Sequence, residues 1–413
     1  MREMKDSGIE WIGEIPVGWN VCRIKELFHE VNERCENSND YTLLSVSEYY
    51  GVSPKSQRIS DDDMLTHAET LDGYKVCDKN DIVMNIMLAW KRALGVSQYA
   101  GIVSPAYCVY RANNKLDSRY FHYLYRTEIY ANLFKQFSTG IIDSRLRLYP
   151  NKFLSLKCQV PPIEEQQKIS TYLDTKCTKI DSIIEKQEKV IEKLKEYKLS
   201  KINEIVTDVD GVCCHLGHIS IMKNGLNFNT SPNGNKVKFL GVGDFKDYFV
   251  LNEKSMFSDI IIDDEISDDY LLQNGDIIFV RSNGSKELVG RAVMVENIDY
   301  KLTYSGFYIK LRNTRDDLIN DKYLLYFFRS PYFRKQLEKY SQGSNISNIN
   351  QVLLSQISII IPSLSYQNDA LKKLDKLSLC IDSAIEQKQA IIEKLKEYKK
   401  SLIYEVVTGK REV

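Results

Sequence analysis

The sequence predicts an α+β fold class: two globular mixed α/β domains separated by two long antiparallel helices in a pseudo-twofold repeat. Three observations lead there. The octapeptide IEKLKEYK occurs twice, at Ile191 to Lys198 and at Ile392 to Lys399. The likeness spreads around both copies at one offset, 201 residues from Ile191 to Ile392 and again from Thr207 to Thr408. Finally, the apolar runs before each copy follow the same order. A period of half the 413-residue chain is too long for a solenoid and reads as a duplicated half. The length also exceeds what one hydrophobic core usually serves.

The boundaries drawn from these patterns are 1–160 for the first globular domain and 161–207 for the central helix. The second globular domain follows at 208–361 and the C-terminal helix at 362–413. Within 1–160, GIEWIGEIPVGW presents Trp11, Ile15, Pro16 and Trp19 as an apolar arm laid on a domain surface. Strand-like runs follow at Thr42 to Val46, Asp81 to Met87 and Ala106 to Arg111. A helix is expected over Ser118 to Phe137, where Phe121, Leu124, Tyr125, Ile129 and Leu133 recur at helical spacing. The second half repeats the order with Val237 to Val242, Asp276 to Arg281, Phe307 to Arg312 and a helix over Asp321 to Tyr340.

Neither Gly nor Pro interrupts the chain between Pro162 and Gly211, or between Pro362 and Gly409. Pro at the start and Gly past the end is the expected helix asymmetry. Helices of 40 to 45 residues would span roughly 60 to 65 Å at about 1.5 Å per residue. Ile191, Leu194, Tyr197, Ile392, Leu395 and Tyr398 fall on an apolar stripe wider than a strict coiled-coil seam, suited to helix pairing or partner docking. Paired helices would act as a spacer between the domains.

Composition narrows the chemistry. With 43% hydrophobic and 27% charged residues the chain is of ordinary globular type. Its longest apolar run, around Ile357 to Ile361, is far short of a membrane span. The N-terminus has no apolar stretch behind its charges, so no signal peptide is expected, and nine cysteines without paired spacing fit a reducing, cytoplasmic setting. The 56 basic and 56 acidic residues balance, which neither excludes nor favours nucleic acid, because a local patch suffices.

No phosphate-binding GxxxxGK[ST] loop, dinucleotide GxGxxG or base-flipping Asn-Pro-Pro-aromatic tetrapeptide occurs. The acidic runs Asp61–Asp63, Asp263–Glu265 and Asp268–Asp269 sit among turn residues and read as solvated turns rather than magnesium ligands. In CCHLGH, Cys213, Cys214, His215 and His218 crowd into six residues, whereas structural zinc draws its ligands from two separated pairs. No catalytic residue and no metal ligand is therefore assigned.

Binding remains. Lys91 and Arg92 follow a predicted strand, and Arg145 and Arg147 lie in DSRLRL. The second half places Arg281, Ser282, Asn283, Lys286 and Arg291 after its corresponding strand, with Asn345 and Asn348 in SNISNIN. Arginine and asparagine read guanine and adenine edges, while lysine and serine position phosphates. Each segment alone is an ordinary exposed loop. Two such loops at equivalent places in divergent halves point to recognition of double-stranded DNA.

The whole chain resembles the specificity subunit of Type I restriction–modification systems. The resemblance rests on KDSGIEWIGEIPVGW, on VPPIEEQQKI opening the first helix, and on the paired IEKLKEYK segments in alternation with variable domains. It implies two target recognition domains, each reading half of a gapped DNA site, and helices that set the gap. It further implies docking of two adenine-methylating subunits and of motor-nuclease restriction subunits. Those partners would use S-adenosylmethionine, ATP and magnesium, and none of these cofactors is expected on this chain. A structural adaptor whose globular parts bind no DNA is the alternative of a different class.

Overall fold

The computed structural model describes residues 2–36, 41–57, 71–227, 234–244, 249–252, 255–263, 265–285, 287–340 and 348–413. The chain divides into two compact units, one of Met1–Lys186 with Ala390–Val413 and the other of Gln187–Gln389. Each unit therefore contains one globular part, the N-terminal stretch of one long helix and the C-terminal stretch of the other. The long helices are Ile163–Thr207 and Leu364–Val407, bounded as the prolines and glycines require. Among the described residues no helix is long and apolar enough to cross a membrane.

In the first unit a four-stranded antiparallel sheet runs in the order Phe28–Val31, Tyr107–Ala112, Ile82–Asn85, Leu94–Val96. The strand Ile82–Asn85 is buried along its whole length because both faces are covered. Ile82 and Met84 face a core shared with Phe121, Leu124, Leu173, Val406 and Val407, and Val83 faces a smaller cluster with Val31, Val103 and Val109. Alternating side chains thus serve two cores. The second unit repeats the pattern with Ser220–Asn224, Tyr308–Asn313, Ile277–Val280 and Ala292–Val295, and adds Val250–Leu251 at the edge. Ile277 and Phe279 face a core with Ile202, Val206 and Leu374, while Ile278 and Val280 face Leu240, Val293 and Leu302.

The turn into each central strand shows how different residues meet one backbone demand. Asn80 and Gly275 occupy the same place and both have positive φ, 75° and 93°. Asn and Gly are the residues that enter this region most cheaply. The following Asp81 and Asp276 are buried, and each accepts a two-pronged contact from an arginine on the neighbouring strand, Arg111 and Arg312.

Two expected helices are each interrupted. Ser118–Tyr125 and Glu128–Phe137 replace the single helix expected over Ser118 to Phe137, and Asp321–Phe328 and Pro331–Tyr340 replace the one over Asp321 to Tyr340. Pro331 cannot donate the hydrogen bond a continuing helix needs. In the first unit Thr127 turns its hydroxyl onto the Leu124 carbonyl, and the Arg126 guanidinium gathers the carbonyls of Arg92, Leu94, Glu48 and Tyr49. Apolar spacing continues across both breaks because the two segments of each pair pack on the same core.

The polar contacts joining globular part to helix are repeated almost atom for atom. Gln166 accepts the Asp117 N–H at 3.0 Å and donates to the Pro161 carbonyl at 2.9 Å. Gln367 does the same with Asn320 and Pro362, both at 2.9 Å. Asp174 takes Tyr123 and Arg119, and Asp375 takes Tyr326 and Lys322. Along the helices Lys399 meets Asp181 within the first unit and Lys198 meets Asp382 within the second, at 2.7 Å in each case. In each unit this pairing joins helix stretches that run antiparallel, and the two pairs exchange under the 201-residue repeat.

The N-terminal arm packs as its apolar residues suggest. Ile15 and Trp19 are buried, and the Trp19 indole donates to Glu165 at 2.9 Å. Pro16 and Trp19 lie against Gly409, where an added Cβ would fall 2.4 Å from the proline ring.

Candidate nucleic-acid interface

Each central strand ends in a connection carrying the cations singled out from sequence. In the first unit residues 86–93 link Ile82–Asn85 to Leu94–Val96, with a short 3-10 turn at Ala89–Lys91. Arg92 closes that turn in the left-handed region, with φ of 70°. A second loop folds against it, since the Leu148 N–H donates to the Ile86 carbonyl at 2.8 Å. This loop is closed by mutual backbone bonds between Thr139 and Arg147, at 2.9 and 3.0 Å. Lys91, Arg92, Arg145 and Arg147 are thereby brought to two adjoining loops of one unit.

Lys91, Arg145 and Arg147 are exposed and Arg92 is half-buried. Two ammonium groups approach the Trp90 ring, Lys91 at 5.3 Å and Lys135 at 4.8 Å from its centre. Lys135 also pairs with Asp143 on the second loop at 2.8 Å. The result is a cation-bearing surface held by backbone bonds rather than by long side chains alone.

The second unit builds the equivalent junction. The Ile349 N–H donates to the Arg281 carbonyl at 2.9 Å, and Ser282 and Asn348 form an antiparallel bridge. Arg281, Ser282 and Asn283 are half-buried, and Asn348 is exposed. The Arg281 guanidinium spends one donor on the Gly306 carbonyl at 3.2 Å, and Asn283 accepts the Ser285 N–H at 2.8 Å. Arg291 is half-buried at the far end of the connection, its N–H on the Leu288 carbonyl. Lys286 and Asn345 lie outside the described residues, as do Asp61–Asp63 and Asp264.

Sequence reasoning missed three exposed side chains near the first junction. Tyr49 and Tyr50 are 76% and 70% exposed, and Arg126 ties the Tyr49 carbonyl to that of Arg92. Ile141, at the tip of the second loop, is 99% exposed. Nothing in their local spacing distinguishes them; only the tertiary junction does.

His122 lies beneath the same region. Its Nδ1 accepts the Val96 N–H at 3.2 Å, and a Cβ on Gly95 would fall 2.9 Å from that nitrogen. Burial first, then the nearby charges of Arg126 and Lys399, push its pKa down to about 3, so the ring is neutral. It serves as a hydrogen-bond acceptor in the scaffold.

On the helices Ile191 and Ile392 are buried, Leu194 and Leu395 half-buried, and Tyr197 and Tyr398 about half exposed at 50% and 48%. Cys213 is exposed, His215 bonds the Gln356 carbonyl at 3.0 Å, and among the described residues no three potential ligands cluster as a metal site requires.

Two copies of one α+β domain on paired helices, each presenting a joined pair of polar loops, define a duplicated recognition protein. The family model described as the Type I restriction modification DNA specificity domain matches residues 16–193 and again 216–396, so the chain belongs to that family. It is similar to the Type I restriction enzyme StySPI specificity subunit of Salmonella potsdam, with 23% identity over 80% of this chain and 74% of that one. The MjaVIII specificity subunit of Methanocaldococcus jannaschii is 24% identical over 96% and 93% of the two chains.

Solved structures carry the fold likeness. The HsdS subunit of Thermoanaerobacter tengcongensis superposes with a TM-score of 0.54 at 17% identity, covering 96% of this chain and 98% of that one. A chain from a structural study of the assembly and conformational transition of the type I R-M system reaches 0.75 at 16% identity, covering 96% and 99%. The chain is a DNA specificity subunit of Type I restriction–modification.

Proposed function

We propose that each globular part reads one half of a bipartite, gapped DNA site, and that the long helices set the gap between the halves. The observation that carries this reading is the repeated junction: Leu148 on Ile86 in the first unit and Ile349 on Arg281 in the second. Both join a strand-end connection to a second polar loop at the same place on the same sheet. Equivalent position with different side chains is what two readers of different sequences require. In the first unit Lys91, Arg145 and Arg147 position phosphates, while in the second Ser282, Asn283 and Asn348 face base edges.

The half-exposed Tyr197 and Tyr398, with the stripe around them, would take two copies of an adenine-methylating subunit. Motor-nuclease subunits then complete the restriction complex. Catalysis resides in those partners, which use S-adenosylmethionine, ATP and magnesium, and this chain supplies the address.

A methylation map of DNA from cells expressing this chain with its adjacent methyltransferase tests the reading. Methylated adenines in a gapped two-part motif, lost when the chain is omitted, are the expected result. Exchanging residues 208–361 for another family member's domain should then change one half of the motif only. Altered halves on both sides would overturn the modular assignment. No methylation from a stable complex would favour the adaptor.

A further inference from the structure

We infer that Ile141 reads a thymine methyl group, making it a specificity-determining residue of the half-site bound by the first unit. The inference rests on the bipartite-reading proposal above. Ile141 is 99% exposed and its neighbour Ile142 is 52% exposed. Their loop is ordered by bonds at several points. Thr139 and Arg147 close its base, the Arg145 N–H donates to the Ile142 carbonyl at 2.8 Å, and Lys135 holds Asp143. Leu146 and Leu148 anchor it from below, at 8% and 0% exposure. Gly140 lets the strands of the loop close up, since a Cβ there would fall 2.6 Å from the Arg145 carbonyl oxygen. The loop therefore holds two adjacent large apolar side chains in water, where they are free to meet an apolar group on a partner.

The surroundings say what that is. Arg145 and Arg147 are exposed on the same loop, and Lys91 is exposed on the adjoining one. Such a fringe of cations fits a phosphate backbone. On the edges of B-DNA base pairs in the major groove, the apolar feature available to a side chain is the C5-methyl of thymine. The arginines and Lys91 then hold the duplex while the isoleucine distinguishes thymine from the other bases.

The test uses the complex of this chain with its methyltransferase and a duplex carrying the mapped motif. Each thymine in the first unit's half-site is replaced in turn by uracil, which removes only the methyl group. At one position the wild-type complex should lose affinity about four-fold, the worth of one buried methyl. Ile141→Ala should bind the thymine and uracil duplexes alike, so that the two changes are not additive. Arg145→Ala should instead weaken both duplexes equally and lower the salt dependence. Wild-type binding indifferent to every uracil, or an equal uracil penalty in Ile141→Ala, would overturn the inference while leaving the bipartite reading intact. Failure of the wild-type complex to prefer the gapped site at all would overturn that reading, and the inference with it.

Discussion

The two units of this molecule share a skeleton and differ in what they hang on it. Gln166 and Gln367, Asp174 and Asp375, Asp181 and Asp382 make matching contacts 201 residues apart. Between those fixed points the loops diverge: exposed lysine, arginine and isoleucine in the first unit, half-buried arginine, serine and asparagine in the second. These glutamine and aspartate contacts along the helices are held constant, and the side chains that face outward differ. On the reading proposed above, a subunit built this way would change its target without changing its assembly.

The comparison sharpens where equivalent residues have unequal surroundings, and the largest expected effect concerns the buried aspartates. Asp276 is the carboxylate in contact with Arg312 among the described residues, at 2.7 Å. Arg111 meets Asp78 at 2.7 Å and Glu33 at 3.3 Å as well as Asp81 at 2.9 Å. Hydrogen bonding to the aspartate is the main cause that raises the pKa of each arginine. Asp276→Ala strands a half-buried guanidinium and should cost about 3 kcal/mol. Asp81→Ala leaves two carboxylates beside its arginine and should cost about 1 kcal/mol less. Urea denaturation followed by amide exchange in Ile277–Val280 and Ile82–Asn85 would measure both. Equal losses would show that the extra acids around Arg111 contribute nothing.

Acid should separate the units next. Position 122 holds a neutral, half-buried histidine, and the matching position on the second unit's helix is the fully buried Leu325. In the unfolded chain imidazole titrates near about 6.5. Below that pH the unfolded state gains a proton that the folded unit refuses until about pH 3. Stability from this group is thus complete above pH 6.5 and falls as pH drops toward 3, by at most about 1.4 kcal/mol per pH unit. His122→Gln keeps an acceptor for the Val96 N–H and removes the titration. Its denaturation midpoint should fall less between pH 7 and pH 5 than that of the wild type. Parallel slopes would mean that the imidazole protonates in the folded unit.

How much of this was legible beforehand depended on whether the signal was local. The long helices were, because Pro162, Pro362, Gly211 and Gly409 punctuate them and the repeat confirms their register. The breaks at Arg126–Thr127 and Arg329–Ser330 were not. Tyr125 and Tyr130 fall on one core, so hydrophobic spacing runs through the interruption as though it were helix. The loops Lys91–Arg92 and Arg281–Asn283 were placed from their position after a strand. That Arg281 turns back onto Gly306, or that Arg126 brings Tyr49 beside Arg92, depends on residues 25 to 77 positions away in sequence. Charge type is written in the chain; the direction a charge faces is set by tertiary contacts.

The smallest effect tests the skeleton itself. Tyr120 and Tyr323 are equivalent and both fully buried, yet among the described residues only Tyr120 has a hydrogen-bond partner for its hydroxyl. Its hydroxyl donates to the Val407 carbonyl at 2.9 Å, at the end of the second long helix. At the corresponding helix end in the second unit, Tyr366 reaches the Ile205 carbonyl at 3.1 Å, and the Tyr323 hydroxyl is left without a partner among the described residues. The first unit has Glu165 in place of that second tyrosine, and Trp19 and Arg2 of the N-terminal arm occupy it. One substitution should therefore act in opposite directions. Tyr120→Phe removes a satisfied buried bond and should destabilise by about 1 kcal/mol. Tyr323→Phe removes an unsatisfied hydroxyl and should be neutral or stabilise by up to about 1 kcal/mol. Differential exchange of the two units at equal denaturant reads the sign directly. A matching loss in both would mean that Tyr323 finds a partner of its own, and that the two helix ends are more alike than their side chains.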